Sequence, residues 1–397
     1  MNVLNRQTRT MTAVLLTLLW LAPAATALAG DDQPVLPSLT RIKTIASTVP
    51  SNGDVNPYGV AQVRRTIGAL RAGNILVSNF NNSGNFQGTG TTIVQIAPDG
   101  AMSQFAALDA AKLPGSCPGG VGLTTALVAL EPGWVIVGSL PTAKQGTEFT
   151  GPGCLIVLDS MGKAVETFYG SLINGPWDMT AFDGEHEAKL CVTNVLNGTL
   201  TVAAGTVVHG GTGTRLNLRL SGTSPPVLES ITIIGSGFPE RTDPAALVIG
   251  PTGVGLRASC KGDGDDCAGQ DHAGEHGDPH DSSLLYVADT LSNRVAVIEG
   301  ALTRTTSAGI GHTLSRGGSL NGPLGLIVTP SGTVLTVNSG DGFITEISPH
   351  GAQVAKMQLD NTGSPPGAGA LFGLTFDPQA GVYFVDDASN TLNLLHH

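Results

Sequence analysis

The residues with the densest potential for chemistry lie in one short stretch, CKGDGDDCAGQDHAGEHGDPHD, residues 260–281. Its histidines, His272, His276 and His280, are spaced four residues apart, and Asp271 stands beside the first of them. Imidazole and carboxylate groups are the ligands that Zn, Cu or Ni prefer in proteins. The stretch therefore predicts a divalent metal site formed by these histidines and Asp271.

A second interpretation of the stretch is a solvated acidic loop that binds metal only incidentally. Gly274, Gly277 and Pro279 disfavour the helix that would place the imidazoles on one face. The spacing does not fit a calcium loop either, because an EF-hand begun at Asp263 would have Ala268 where it needs glycine. Both interpretations stay open, and the position of the stretch in the fold bears on the choice.

Composition and periodicity indicate an all-β chain. Of 397 residues, 54 are glycine and 24 are proline, and only 13% are charged. No long segment repeats apolar residues at the helical spacing i, i+3, i+4, i+7, so the pattern is that of many short strands joined by glycine turns.

The first 29 residues have the pattern of a secretory signal peptide. Two arginines precede a short apolar run at residues 13–22, and an A-x-A cleavage site follows at residues 27–29. The run is about half the ~20 residues that a membrane span requires. We therefore expect a mature chain from Gly30 with no membrane span, located in the periplasm or outside the cell. Removing the two arginines changes the net charge from −11 to −13, which disfavours binding to nucleic acid.

One unit repeats six times along residues 30–397, and two columns of residues mark it. In the first column, a strand gives way to a polar turn at Asn79, Ser139, Asn194, Asp289, Asn338 and Asp387. In the second, a small residue, preceded by proline two positions earlier in most copies, stands at Gly59, Gly120, Asp178, Ala246, Gly325 and Gly373. Units of four short strands in this number predict a six-bladed β-propeller in a single domain.

The segment YVADTLSNRV in the fourth unit resembles the repeat of the NHL-repeat family. The segments NGPLGL and SGTVLTVNS of the fifth unit are similar to gluconolactonase-like propellers. The resemblance implies a ligand site at the upper face, the face at which the innermost strand of each blade begins. It also implies a calcium site in gluconolactonase-like members, but NPYG stands here where their early acidic residue is expected.

The chain ends predict how the ring closes. The last unit has room for only three strands, and an unassigned strand, TRIKTIAST at residues 40–48, precedes the first unit. Pairing it with the last blade would protect an open sheet edge. In the fourth unit, residues 257–282 form an insertion between the first and second strands, which lies at the lower face.

The five cysteines are expected to be partly oxidised after export. Cys117 with Cys154 and Cys260 with Cys267 are the candidate disulfides. Cys191 lies within a strand, where it is expected to pack as a small apolar group.

Candidate ligand-binding residues cluster by register at the upper channel mouth. They are Tyr58, Trp177, Asp178, Asn79, Asn194, Asn338 and Asp387. A structural role in holding the turns is the alternative for the asparagine and aspartate column, and packing between blades is the alternative for the two aromatic residues.

The sequence favours an exported, monomeric, non-enzymatic propeller that binds a protein or a small-molecule ligand at its upper face. The alternative is a metal-dependent hydrolase or lyase acting near Asp178 at the upper mouth, and a third hypothesis is metal buffering by the histidine stretch. A cofactor, under the last two hypotheses, would be a divalent metal: Ca, Zn or Cu.

Overall fold

Short antiparallel strands account for nearly all regular structure in the chain. A computed structural model describes residues 33–143, 148–149, 151–244, 246–258 and 282–397. The N-terminal segment predicted to be a signal peptide and the histidine stretch lie outside these residues. Short 3-10 helices are found at Leu36–Ser38, Ala110–Lys112 and Thr199–Thr201.

The strands follow one another without an intervening α-helix in the described ranges. Those of the first half are β1 (Arg41–Ser47), β2 (Val55–Gln62), β3 (Ile75–Asn81), β4 (Gln87–Ile96), β5 (Met102–Ala107), β6 (Leu127–Ala129), β7 (Val135–Ser139), β8 (Thr142–Ala143), β9 (Glu148–Phe149), β10 (Cys154–Leu158), β11 (Ala164–Phe168), β12 (Pro176–Asp183), β13 (Glu187–Asn194), β14 (Val208–Ser221), β15 (Ser224–Asp243) and β16 (Leu247–Ile249). Those of the second half are β17 (Pro251–Arg257), β18 (Leu284–Asp289), β19 (Arg294–Glu299), β20 (His312–Arg316), β21 (Pro323–Val328), β22 (Val334–Asn338), β23 (Phe343–Ile347), β24 (Gln353–Gln358), β25 (Leu371–Asp377), β26 (Gly381–Asp386) and β27 (Thr391–His396).

Apart from β8 and β9, which pair only with each other, the strands form six sheets around one axis, which confirms the predicted six-bladed propeller. The sheets are β2-β3-β4-β5, β6-β7-β10-β11, β12-β13-β14-β15-β16, β17-β18-β19-β20, β21-β22-β23-β24 and β25-β26-β27-β1, numbered here as blades 1 to 6. The innermost strands β2, β6, β12, β17, β21 and β25 contact one another in that order, and β25 contacts β2. Each blade thus packs between two neighbours, and the innermost strands line the axis.

Burial explains the residue pattern of the strands. The second strand of a blade, such as β3 or β22, is buried along its whole length because neighbouring blades cover both faces. It is accordingly a continuous run of apolar and small polar residues. The outermost strand β24 alternates partly buried and exposed residues, because one of its faces meets solvent.

The N-terminal strand closes the ring as predicted. Ile42 of β1 pairs with Leu395 of β27, and Ser47 pairs with Thr391. β1 therefore supplies the fourth strand of blade 6, and hydrogen bonds between the two chain ends hold the circle together.

The strand pairing corrects the sequence alignment in three places. Blade 4 begins at Pro251, so Gly253 stands in the second column, and Ala246 belongs to a turn before β16 of blade 3. In blade 2, the pairing of Leu127 with Val137 puts Ala126 in that column, and Gly120 lies in the preceding loop. In blade 6, Leu371 pairs with Asp386, so Asp386 and not Asp387 belongs to the first column.

Each of the first two errors arose because two candidate segments lie close together in the sequence. Blade 4 offers both Pro244-Ala245-Ala246 and Pro251-Thr252-Gly253. Blade 2 has no proline before Ala126, so the nearby Pro118-Gly119-Gly120 was the better match to the pattern. Only the strand pairing distinguishes them.

Crowding at the axis explains why the corrected second column is small. A Cβ added at Gly373 would lie 1.9 Å from the carbonyl oxygen of Tyr58, and one added at Gly253 would lie 2.1 Å from that of Leu324. The same approach recurs at Gly325, where a Cβ would lie 2.0 Å from the carbonyl oxygen of Phe372. A side chain at these positions would collide with the backbone of the next blade.

Two of the cysteine predictions are confirmed. Cys117 and Cys154 form a disulfide that joins the loop before β6 to the start of β10. Cys191 is a free, fully buried cysteine, and burial raises the pKa of its thiol to about 12. The proposed pair of Cys260 and Cys267 lies outside the described residues and stays a prediction.

Candidate functional site

The asparagines of the first column donate hydrogen bonds to other groups of the protein. Asn79, Asn194 and Asn338 are all fully buried. The Nδ2 of Asn79 donates to the carbonyl oxygen of Thr48 at 2.8 Å, and that of Asn338 donates to Ser319 at 2.8 Å. The Nδ2 of Asn194 donates to the hydroxyl of Thr214 at 3.0 Å. Asn79 and Asn338 thus bond to the segments that connect neighbouring blades, and Asn194 bonds within blade 3. These are the contacts expected of a structural column.

Asp289, in the same column of blade 4, is a buried carboxylate with its own counter-ion. Its Oδ2 accepts a hydrogen bond from Nε of Arg294 at 2.8 Å, and both side chains are buried. Arg294 also donates to the hydroxyl of Thr313 and to the carbonyl oxygen of Ile310. The charge of Asp289 is thus neutralised inside the blade.

Asp387, the aspartate one residue beyond the column in blade 6, lies where blades 6 and 1 meet. Its Oδ2 accepts from Nδ2 of Asn56 at 3.1 Å. Burial, together with the neighbouring Asp386, raises the pKa of Asp387 to about 7.

Aromatic and aliphatic side chains close the upper end of the axis. Tyr58 stacks on Phe372 at a centroid distance of 5.0 Å and meets Trp177 edge-on at 5.9 Å. Phe80 and Leu324 belong to the same buried cluster. Because these residues come from blades 1, 3, 5 and 6, their contacts cross the axis; we call them the plug.

A hydrogen bond fixes the centre of the plug. The indole Nε1 of Trp177 donates to the hydroxyl of Tyr58 at 2.7 Å. Tyr58 is 2% exposed and Trp177 6% exposed. The two aromatic residues that the sequence put forward as a binding rim therefore lie inside the protein, where they pack blades against each other.

Below the plug, the axis widens into a channel of about 190 Å³. Its walls come from the lower halves of the innermost strands. They combine aliphatic side chains, such as Val60, Leu127 and Leu326, with polar groups that make up most of the exposed surface. The channel ends at the lower face, where the exposed Arg64 lines it.

Asp178 supplies the carboxyl group at the plugged end of this channel. It occupies the second column, where blades 1, 4, 5 and 6 have glycine and blade 2 has Ala126. Its Oδ1 accepts from the amide of Met179 at 2.8 Å, and its Oδ2 accepts from the amide of Val254 at 3.2 Å. These bonds hold both oxygens in place between blades 3 and 4.

The environment of Asp178 disfavours its charged form. Burial raises the pKa of Asp178 to about 7, although the two backbone hydrogen bonds act in the opposite direction. The nearby carboxyl group in turn adds to the burial that raises the pKa of Tyr58 well above its usual range. At neutral pH, Asp178 is therefore a mixture of charged and neutral forms.

Polar residues that the sequence analysis missed surround the lower mouth. Asp183 accepts from the amide of Glu131 at 2.6 Å, and burial raises its pKa while the guanidinium of Arg64 lowers it. Gln62 donates to Asp377 at 2.6 Å. All of these residues lie at or just beyond the lower ends of innermost strands, and a search of those ends in the sequence would have found them.

The insertion of blade 4 leaves the fold at the same lower face, as predicted, because it joins β17 to β18. His272, His276, His280 and Asp271 lie outside the described residues, and the metal site proposed for them stays a prediction. Within the residues that the structure does describe, His, Cys, Asp and Glu form no group of three that could hold a metal ion. Nor does any helix in that part of the chain have the length and apolar character to cross a bilayer.

Comparison with known proteins gives the fold. No family model and no curated protein matches the chain. A gluconolactonase from Xanthomonas campestris has a similar structure, with a TM-score of 0.51, 13% identity and coverage of 90% of both chains. A candidate gluconolactonase gives a TM-score of 0.50 at 13% identity, covering 91% of this chain and 94% of the other. A calcium-binding regucalcin from Agrobacterium tumefaciens has a TM-score of 0.48 at 11% identity, covering 89% and 94%. The resemblance seen in the sequence is thus confirmed for the propeller fold.

Proposed function

We propose that this protein binds a small molecule in the lower half of its axial channel, as a binding propeller and not as an enzyme. One observation carries the proposal: the channel is closed at its upper end, open at its lower end, and has at its base a carboxyl group held by two backbone amides. Concave sites with a few precisely placed polar groups are the usual form of small-molecule sites.

This site opens at the lower face of the propeller, whereas the sequence predicted a ligand site at the upper face. Tyr58 and Trp177 occupy the axis at the upper end, and their mutual hydrogen bond leaves them packed and buried. Asp178 lines the channel below them. A ligand that reaches Asp178 would therefore enter from the lower face, past Arg64 and Asp183.

The metal-dependent hydrolase or lyase has less support from this geometry. Hydrolysis needs an acid or base together with a group that stabilises the developing charge. In the described part of the channel, the titratable lining residues are Asp178 at the base and Arg64 and Asp183 at the mouth. Binding needs only a concave surface and the single carboxyl group at its base. The neighbouring structures do not change this choice, because fold alone does not fix function.

Channel-narrowing variants test the proposal. Thr180 and Thr375 line the channel from blades 3 and 6, on opposite sides of the axis. A library of small organic fragments would be screened by ligand-observed NMR against the unmodified protein, Thr180→Phe and Thr375→Phe. We expect fragments that bind the unmodified protein and lose binding in both variants.

The matched control is Thr40→Phe, which makes the same change at an exposed position. Circular dichroism and thermal unfolding would verify that each variant is folded, and either channel variant alone suffices for the test. Binding that is unchanged in the narrowed channels, or no binding to the unmodified protein, would show that the channel is not the site.

Export to the periplasm or the extracellular space belongs to the same proposal. The disulfide between Cys117 and Cys154 supports it, because such bonds persist in oxidising compartments. Mass spectrometry of the protein from its native host should give a chain that begins at Gly30. A full-length chain found in the cytoplasm would contradict export.

A further inference from the structure

We propose that the channel selects a small organic cation that carries a primary or secondary ammonium group, and that the ammonium group binds Asp178. The inference rests on the proposed function and specifies its ligand. It follows from the partners of Asp178, from its position in the repeat and from the charges along the channel.

Asp178 has hydrogen bonds but no counter-ion among the described residues. Its two oxygens accept from the amides of Met179 and Val254, and no charged side chain contributes to the shift of its pKa. Burying a carboxylate is costly unless a charge of opposite sign accompanies it. An incoming ammonium group would supply both that charge and further N–H donors.

The fold does not require an acid at this position. The other five blades place glycine or alanine there, because the next blade's backbone passes close by. An aspartate with a raised pKa therefore breaks the local rule of the repeat, and such exceptions concentrate at functional sites. The two backbone bonds hold the carboxyl group in a fixed orientation, as expected of a binding group.

The charges along the channel favour the entry of a cation. An anion would find no positively charged partner at the base of the channel. Between Asp178 and the mouth, the described lining is apolar or uncharged. At the mouth, the cationic Arg64 lies near Asp183, whose pKa it lowers. A net charge of −11 for the whole chain acts in the same direction by attracting cations.

A metal ion fits this site less well than an organic cation. Calcium takes about 6 to 8 oxygen ligands, and zinc about 4 nitrogen, sulfur or oxygen ligands. Asp178 is the one carboxylate at the base of the channel as described, and the side chains of Met179 and Val254 beside it offer no oxygen ligand. An ammonium group can bind through a single carboxylate.

Protons compete with such a cation. The charged and titratable groups that face Asp178 are the Tyr58 hydroxyl above it and Arg64, Asp183 and Asp377 toward the mouth. Because Asp178 must be ionised to bind the ammonium group, we expect affinity to fall as the pH falls below about 7.

Three probes of the same shape test the inference: cyclohexylamine, cyclohexanol and cyclohexanecarboxylate. Their affinities would be measured by NMR titration at pH 8 and pH 5.5 for the unmodified protein, Asp178→Asn and the control Asp99→Asn, which makes the same change at an exposed turn. At pH 8, we expect cyclohexylammonium to bind at least ~10-fold more tightly than either analogue. This preference should disappear in Asp178→Asn, persist in Asp99→Asn and weaken roughly 10-fold or more at pH 5.5.

The outcomes separate the inference from the proposed function. If the alcohol or the carboxylate binds as tightly as the amine, and Thr180→Phe abolishes that binding, the channel is a ligand site but not a cation site. If calcium chloride alone binds and Asp178→Asn abolishes that binding, the ligand is a metal ion and the organic-cation inference is wrong. If none of the three probes binds at millimolar concentration, the inference fails, and the fragment screen decides the proposed function independently.

Discussion

Two aspartates in neighbouring blades show two ways of placing a carboxyl group inside this propeller. Asp289 of blade 4 is fully buried with Arg294 against it at 2.8 Å. Asp178 of blade 3 has only two backbone amides, and burial raises its pKa to about 7. The first carboxylate has its counter-ion within its own blade. The second lacks a counter-ion, and it is the one that lines a channel open to solvent.

The contrast distinguishes a buried carboxyl group that stabilises the fold, Asp289, from one whose surroundings indicate a role in binding, Asp178. A column residue that recurs in blade after blade, with partners in its own turn, stabilises the architecture. A residue that interrupts the column and faces a cavity is better explained by what it binds. Four substitutions test this distinction.

The largest effect is expected from removing the counter-ion of Asp289. Arg294→Met leaves a buried carboxylate without its partner, which should lower the free energy of unfolding by about 4 kcal/mol. Urea unfolding measures this loss. Adding Asp289→Asn to the same protein should recover part of it, because the unpaired charge is then gone. A loss below about 1 kcal/mol for Arg294→Met would mean that the pair is not a structural unit.

A somewhat smaller loss is expected from the plug. Trp177→Ala removes a buried aromatic side chain and should cost about 3 kcal/mol in urea unfolding. It also opens the upper end of the axis above Asp178. If stability does not change, the aromatic cluster is a loosely packed rim and the channel is not closed at that end.

Asp178→Asn, in contrast, should raise the free energy of unfolding relative to the unmodified protein, and this gain should depend on pH. The folded-state pKa of about 7 lies above the unfolded value of about 3.9, so the folded protein binds more protons between these values. Stability of the unmodified protein should therefore fall as the pH rises through this window and level off above pH 7. Between pH 5 and pH 8, the asparagine variant should gain about 2 kcal/mol relative to the unmodified protein.

Chemical denaturation of both proteins at the two pH values measures this gain. The other titrating groups are the same in both proteins, so the comparison isolates Asp178. A difference in stability that does not change with pH would mean that Asp178 is charged in both states and has a partner that offsets its burial.

The smallest effect is expected from Tyr58→Phe. The change keeps the ring stack with Phe372 but leaves the indole N–H of Trp177 without its acceptor, at a cost of about 1 kcal/mol. Trp177→Phe breaks the same hydrogen bond from the other side. Urea unfolding of the two single variants and the double variant forms a double-mutant cycle, and additive losses would show that the hydrogen bond contributes nothing.

Repetition made the architecture predictable from sequence. The number of blades, the closing pair of β1 with β27 and the disulfide of Cys117 with Cys154 all followed from a unit that recurs along the chain. The second-column residue was predictable only where one candidate segment precedes the strand. In blades 2 and 4, two neighbouring segments competed, and the pairing of strands decided between them.

The candidate site was less predictable from the sequence than the fold, because its geometry depends on how far along the axis each side chain lies. The sequence singled out Asp178 as the exception in its column, and the structure places it in the channel. The sequence could not show that Tyr58 and Trp177 meet across the ring and close its upper end, since the two residues are 119 positions apart. The polar residues of the lower mouth lie at strand ends that the sequence does show, but it could not show that Arg64 and Asp183 become neighbours when the ring is formed.

The central claim is that Asp178 is a channel carboxyl group without a counter-ion, and its own titration tests this most directly. Protein labelled with carbon-13 at the aspartate side chains would be followed by NMR between pH 4 and pH 9, with Asp178→Asn used to assign the resonance. We expect an apparent pKa of about 7. Titration of that resonance near the ordinary aspartate value of about 3.9 would show that the charge is already neutralised or solvated, and would contradict the account.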